Sequence, residues 1–191
     1  MSRYDDDIWR LVPAEAAPAP PHLVSFVRAL GMPADALDLG CGDGRLTAEL
    51  RAGELVAADV SGVALERALK RVPAARIVHL EPDEPLPLDD GTFDLVLCAE
   101  TIEHVRDVQL MLSEVRRVLR PGGRLAVTTP AHGRITGLEI AARGFERSFD
   151  PLSPHLRFFT ARSLATLLDD LGFEPGAIRT EARTLLAVAQ R

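Results

Sequence analysis

The chain has 191 residues, 47% of them hydrophobic, with two cysteines and a formal net charge of −6. That is enough apolar material for one core without disulfides or structural metal, so residues 1–191 are expected to form a single domain. The acidic balance argues against nucleic acid as a partner, because affinity for phosphate backbones rests on clustered Lys and Arg. No run approaches the ~20 apolar residues that cross a bilayer. Met1-Ser-Arg-Tyr-Asp-Asp-Asp carries acid where a signal peptide carries base, so a cytoplasmic chain with no membrane partner is expected.

Tyr4 to Leu11 predicts a short helix, followed by an Ala/Pro-rich tether that ends near Pro21. This helix holds Trp9 and Tyr4, the only tryptophan and tyrosine of the chain, and is a candidate lid; simple packing on the core is the equal alternative. From Ala36 onward, short apolar runs alternate with helical patterns, the signature of a parallel sheet joined by crossover helices. Strands are predicted at Ala36–Leu39, Leu55–Asp59, Arg76–Leu80, Phe93–Cys98 and Arg124–Thr129, each close to continuously apolar, as in strands covered on both faces. Ser61, Asp107 and Thr160 each precede apolar residues at three- and four-residue steps and predict capped amphipathic helices. Pro121-Gly122-Gly123 stops the second of these and Gly172 the third. Residues 131–154 read as an insertion after the fifth strand, a candidate acceptor-site wall with Phe145 and Phe149. Residues 177–181 and 184–189 read as a closing pair of strands.

The first predicted strand runs into Asp38-Leu-Gly-Cys-Gly-Asp-Gly-Arg-Leu46, after which a helix is expected. Alternate glycines let the backbone turn sharply and approach a ligand where a Cβ would collide. The spacing G-x-G-x-G differs from the G-x-G-x-x-G that seats a pyrophosphate. Asp59 ends the second strand, where a carboxylate is placed to accept hydrogen bonds from both hydroxyls of a ribose. The competing reading of Asp59 is a turn or capping acid before Ser61. Cys41 and Cys98 lie in no metal or redox spacing and read as small buried residues.

At these residues the sequence resembles the class I S-adenosylmethionine-dependent methyltransferases, particularly small bacterial enzymes related to the ubiquinone-biosynthesis O-methyltransferases. The resemblance runs from Leu37 to about Phe173. It also takes in Leu86-Pro-Leu-Asp-Asp-Gly-Thr-Phe-Asp-Leu-Val96, Ala99-Glu-Thr-Ile-Glu-His-Val105, Glu114 to Arg124, and His155-Leu-Arg-Phe-Phe-Thr160. It implies a Rossmann-like α/β fold: a mostly parallel seven-stranded sheet with helices on both faces and an antiparallel last strand. It also implies that S-adenosylmethionine lies against Asp38, Gly40, Cys41, Gly42, Asp59, Val60 and Ala99, with S-adenosylhomocysteine as product. Asp38 is a candidate to hold the methionine ammonium. One position departs from the family pattern: Pro82 stands where an Asp usually meets the adenine amino group, which leaves Asp83 or the Glu84 backbone as the candidate contact.

Methyl transfer is an in-line displacement, so the protein must align acceptor and sulfonium and, for some acceptors, supply a base. Glu100, Glu103 and His104 follow the fourth strand at the carboxyl edge of the sheet. His104 and Glu100 are the catalytic candidates. Glu100, Glu103 and His104, with His155 or His132, also make a set that could ligate a divalent ion; turn, capping and packing roles without metal take precedence. His79 and His22 receive no assigned role; Arg157 and Arg162 are candidates to contact an acidic acceptor, with solvated surface arginines the commoner reading.

The leading functional reading is methylation of an oxygen or nitrogen on a small-molecule acceptor. The alternatives are a metal-dependent RNA 3′-end 2′-O-methyltransferase and a non-catalytic cofactor-binding module. Acceptor identity and oligomeric state are not encoded in any motif of the chain.

Overall fold

The computed structural model describes residues 2–13, 18–145 and 153–191. Phe149, with the rest of 146–152 in the predicted insertion wall, lies outside them. The elements are α1 (Ser2–Leu11), α2 (Pro21–Arg28), β1 (Asp35–Leu39), β2 (Glu54–Asp59), α3 (Gly62–Arg71), β3 (Arg76–His79), β4 (Phe93–Ala99), α4 (Val108–Val118), β5 (Leu119–Pro130), α5 (Arg134–Arg143), α6 (Ala161–Asp170), β6 (Glu174–Pro175), β7 (Arg179–Glu181) and β8 (Thr184–Gln190).

The three predicted caps are all made by side chains. Ser61 accepts from the Ala64 N–H, Asp107 from Leu110 and Thr160 from Ser163, each satisfying an orphan amide of a helix first turn. The sheet order is β3-β2-β1-β4-β5-β8-β6, and β7 also pairs with β8. β8 runs antiparallel to β5, β6 and β7, and the pairs from β3 through β5 are parallel. β6 meets Ala189 and Gln190 while β7 meets Thr184 to Leu186, so the two share one lane along β8. The eight strands therefore fill the seven lanes expected, because the edge lane beside β8 is interrupted between Gly176, whose N–H still reaches the Val188 carbonyl, and Arg179.

Side-chain alternation along the strands splits the core. Leu37, Val96 and Leu125 face α4 and α6, whose Leu112, Val115, Val118, Leu164 and Leu168 are fully buried. Each such side chain contributes roughly 1.5–3 kcal/mol relative to exposure. On the other face, Ala36, Leu95, Leu97 and Ala126 meet Leu23, Phe26 and Val27 of α2, while Ala57 and Cys41 meet Leu65 and Ala68 of α3.

Two expectations are corrected. The glycine-rich turn is followed by a single 3-10 turn, Thr47–Glu49, instead of a helix. The chain reaches β2 at Glu54, too soon for a longer helix, and Leu50 joins the cluster that α2 builds. β5 begins at Leu119, ahead of Pro121-Gly122-Gly123. Its register against β4 jumps from Phe93↔Leu119 to Leu95↔Arg124, so the glycine pair forms a bulge inside the strand.

Candidate active site

β1 and β4 are neighbours from which the chain departs in opposite directions along the sheet. The crevice at their carboxyl ends is a topological switch point, where open α/β sheets bind ligands. Asp38, Asp59, Ala99 and Glu100 all stand at or just past the carboxyl ends of β1, β2 and β4.

The turn after β1 is built for close approach. Gly40 and Gly42 have φ of 75° and 54°, the left-handed region that favours glycine. A Cβ on Gly40 would fall 2.4 Å from Thr101 Cγ2, and one on Gly42 would fall 2.7 Å from the Trp9 ring. Thr101, which the sequence reading passed over, links the turn to the end of β4: its hydroxyl lies 3.0 Å from the Ala99 carbonyl and 3.4 Å from the Gly40 carbonyl.

Asp59 serves the turn in the way the competing reading foresaw. Its Oδ2 accepts the Gly42 N–H and its Oδ1 the Ser61 N–H, both at 2.9 Å. Each oxygen retains a second lone pair. Asp38 accepts from Thr47 Oγ1 at 2.5 Å. Burial raises the carboxyls of both residues, Asp38 to about 7. Among the described residues neither carboxylate has an ion-pair partner, so the pocket is short of positive charge. Burial likewise pushes up the Cys41 and Cys98 thiols, in keeping with their expected packing role.

At the adenine-side candidates, Asp83 has φ 60° and is ion-paired with Arg106. The Glu84 N–H reaches the Glu81 carbonyl at 3.4 Å. Val60 offers its carbonyl to His79 Nε2 at 3.0 Å.

Past β4, the candidates separate. Glu100 has φ 51°, and its carboxylate accepts from Thr128 Oγ1 at 2.9 Å, so it holds the turn. Glu103 is 1% exposed and accepts from Thr129 Oγ1 at 2.9 Å; burial raises its carboxyl to about 7. The Glu103 carbonyl accepts the amides of Leu156 and Arg157, which draws His155 in. His104 and His155 pack edge to face with ring centroids 4.8 Å apart. His104 Nδ1 lies 3.0 Å from the Pro154 carbonyl, which can only accept. Nδ1 therefore carries the proton and the neutral ring presents a bare Nε2. Ligating atoms of Glu103, His104 and His155 lie within 4.8 Å of one another, without Glu100; His132 packs instead against Phe158.

Helix α1 carries residues that sequence reasoning missed. Asp5 is partly buried and interacts electrostatically with both Asp59 and His104. Asp6 accepts from Ser61 Oγ at 2.6 Å. An acidic pair on an exposed-looking helix gives no sequence signal of such a role.

Residues 37–127 match the methyltransferase domain family, and they contain the glycine turn, Asp59 and the Glu103–His104 pair. The chain carries a class I S-adenosylmethionine-dependent methyltransferase domain. A Mycolicibacterium smegmatis protein named as a probable S-adenosylmethionine-dependent methyltransferase is 37% identical over 145 residues, covering 73% of this chain and 52% of that protein. A malonyl-[acyl-carrier protein] O-methyltransferase of Methylococcus capsulatus is 34% identical over 170 residues, covering 85% of this chain and 60% of that enzyme. The chain thus spans little more than half the length of these relatives. Among solved structures, an S-adenosylmethionine-dependent methyltransferase of Methanosarcina mazei superposes with a TM-score of 0.69 at 21% identity, covering 92% of this chain and 99% of that one, a likeness of fold. No helix among the described residues is long and apolar enough to cross a membrane.

Proposed function

We propose that the chain is an enzyme that transfers a methyl group from S-adenosylmethionine to a hydroxyl or amine of a small-molecule acceptor. One observation carries this reading: buried carboxylates without cations and a glycine turn stand at the same carboxyl edge of the sheet as a histidine with a bare Nε2. When bound, S-adenosylmethionine supplies an electrophilic methyl on a sulfonium cation, and its amino group brings a second positive charge.

Asp38 and Asp59 suit such a ligand. Asp38 would hold the ammonium, and the remaining lone pairs of Asp59 the ribose hydroxyls. Gly40, Cys41 and Gly42 give the backbone room, Val60 and Ala99 flank the crevice, and the Asp83–Glu84 segment stands on the adenine side. His104 would take the acceptor's proton at Nε2. Glu103 would then balance the imidazolium, since its Oε1 lies 3.9 Å from that nitrogen. Glu100 acts through the turn that presents both. Asp5, Asp59 and Glu103 together disfavour an anionic acceptor, so a hydroxyl or amine ranks ahead of the carboxylate type of acceptor that the Methylococcus relative's name denotes. The same acidity ranks small molecules ahead of RNA. Calorimetric titration with S-adenosylmethionine and S-adenosylhomocysteine tests the reading; micromolar binding is expected, and no heat with either would overturn it.

A second version is favoured by the grouping of Glu103, His104 and His155. Two imidazoles and a carboxylate suit a borderline divalent ion, which would lower the acceptor's pKa in place of the base.

A further inference from the structure

We propose that helix α1 forms the outer wall of the cofactor site, with Trp9 as its contact surface and Asp6 as the latch that seats it. The proposal rests on the methyl-transfer reading and adds the residues that govern cofactor exchange.

Five contacts place α1 and the residue after it over the glycine turn and the start of α3. The Trp9 ring fills the space that a Cβ on Gly42 would need, so an indole closes the glycine turn from outside. Asp6 Oδ1 accepts from Ser61 Oγ at 2.6 Å and from the Val63 N–H at 3.2 Å. Ser61 also gives its own N–H to Asp59, which ties the latch to the proposed ribose carboxylate through a single residue. Arg67 lies over the Trp9 ring at 6.0 Å and donates to the Val12 carbonyl at 3.0 Å, holding the far end of the helix.

The orientation follows from these contacts. Trp9 stands at the glycine turn, while Asp5, one helical turn earlier, is within electrostatic reach of both Asp59 and His104. From its N-terminus the helix therefore runs from the acceptor side of the crevice toward the glycine turn on the cofactor side. A carboxylate bonded at the first turn of α3 is also favoured by the helix dipole. The Asp6 bonds are few, charge-assisted and close to the surface, the character of a contact that breaks and reforms as a unit. Ligand exchange past Gly42 requires α1 to lift, and Asp6 sets how readily it does so. Asp6 is a positioning residue: it acts through Trp9.

Trp9 is the only tryptophan, so its fluorescence reports this helix alone. S-adenosylhomocysteine is titrated into wild type, Asp6→Ala, Asp6→Asn and Asp7→Ala, by calorimetry and by tryptophan emission, with dissociation followed by stopped flow. The expected result is a change in Trp9 emission that saturates with the calorimetric heat. Asp6→Ala should speed dissociation by about tenfold, the scale of losing hydrogen bonds to a charged group. Asp6→Asn keeps an acceptor oxygen and should recover most of the wild-type rate, and Asp7→Ala should match wild type. Heat of binding with unchanged Trp9 emission, or wild-type dissociation from Asp6→Ala, would overturn the proposal. Absence of heat from wild type would instead overturn the cofactor reading beneath it.

Discussion

His104 turns its Nε2 toward Glu103 Oε1 at 3.9 Å while its Nδ1 is engaged by the Pro154 carbonyl at 3.0 Å. Two acceptor atoms thus lie close enough for a single proton donor, approaching from the side, to be shared by both. His104→Ala should lower kcat by about 10²- to 10⁴-fold and leave the Kd for S-adenosylhomocysteine within twofold, roughly the scatter of such titrations. Burial lowers the His104 pKa, so the neutral base persists below the ordinary histidine range. The acid limb of kcat/KM should accordingly lie below pH ~6.5. An acid limb well above that value would assign the base elsewhere.

Asp59 bonds the Gly42 and Ser61 amides, so its carboxylate shapes the turn as well as facing the crevice. Asp59→Ala should weaken S-adenosylhomocysteine binding by at least tenfold, since both the turn and the proposed ribose acceptor are lost. Asp59→Asn retains one acceptor oxygen and should lose less. Unchanged affinity in both variants, measured by calorimetry, would remove Asp59 from the site.

Asp38 has its pKa raised to about 7 by burial, against an unfolded value near 4. Between these values the native state holds a proton that the unfolded chain has released, so Asp38 lowers stability as pH rises through that window. The Tm of unliganded Asp38→Asn should therefore match wild type near pH 4 and exceed it progressively up to pH ~7. Taking the difference between the two proteins cancels the opposing contribution of His104, His132 and His155, whose pKa values are lowered. A pH-independent difference in Tm would show that Asp38 is ionised throughout.

Glu103, His104 and His155 could hold a divalent ion, yet the hydrogen bonds at Nδ1 of His104 and at Glu103 already satisfy a metal-free site. Turnover is expected to be unchanged in chelator, measured as S-adenosylhomocysteine production. Loss of turnover that manganese or zinc restores, together with loss of that response in His155→Ala, would replace the base with a metal.

Much of the frame was legible in the chain because its causes are local. Ser61, Asp107 and Thr160 cap helices through amides three residues away. The continuous apolar runs announce strands covered on both faces, and the glycines at positions 40 and 42 announce a left-handed turn. The helix expected after that turn is cut to one 3-10 turn by the short return to β2 at Glu54, whereas the packing of α2 beside Leu50 joins segments far apart in the chain.

The site divides along the same line. Residue types at strand ends were set by the sequence, since each strand carries its own carboxyl-end acid or turn. Which of them face one another was decided by packing. His155 reaches His104 because the Glu103 carbonyl binds the amides of Leu156 and Arg157, and Glu100 turns aside because Thr128 on the neighbouring strand holds it. Asp6 meets Ser61, and Trp9 meets Gly42, only once α1 folds back on the domain. Those pairings depend on contacts between segments far apart in the chain, whose closure is won by burial across the whole core and leaves no periodicity to read in either partner.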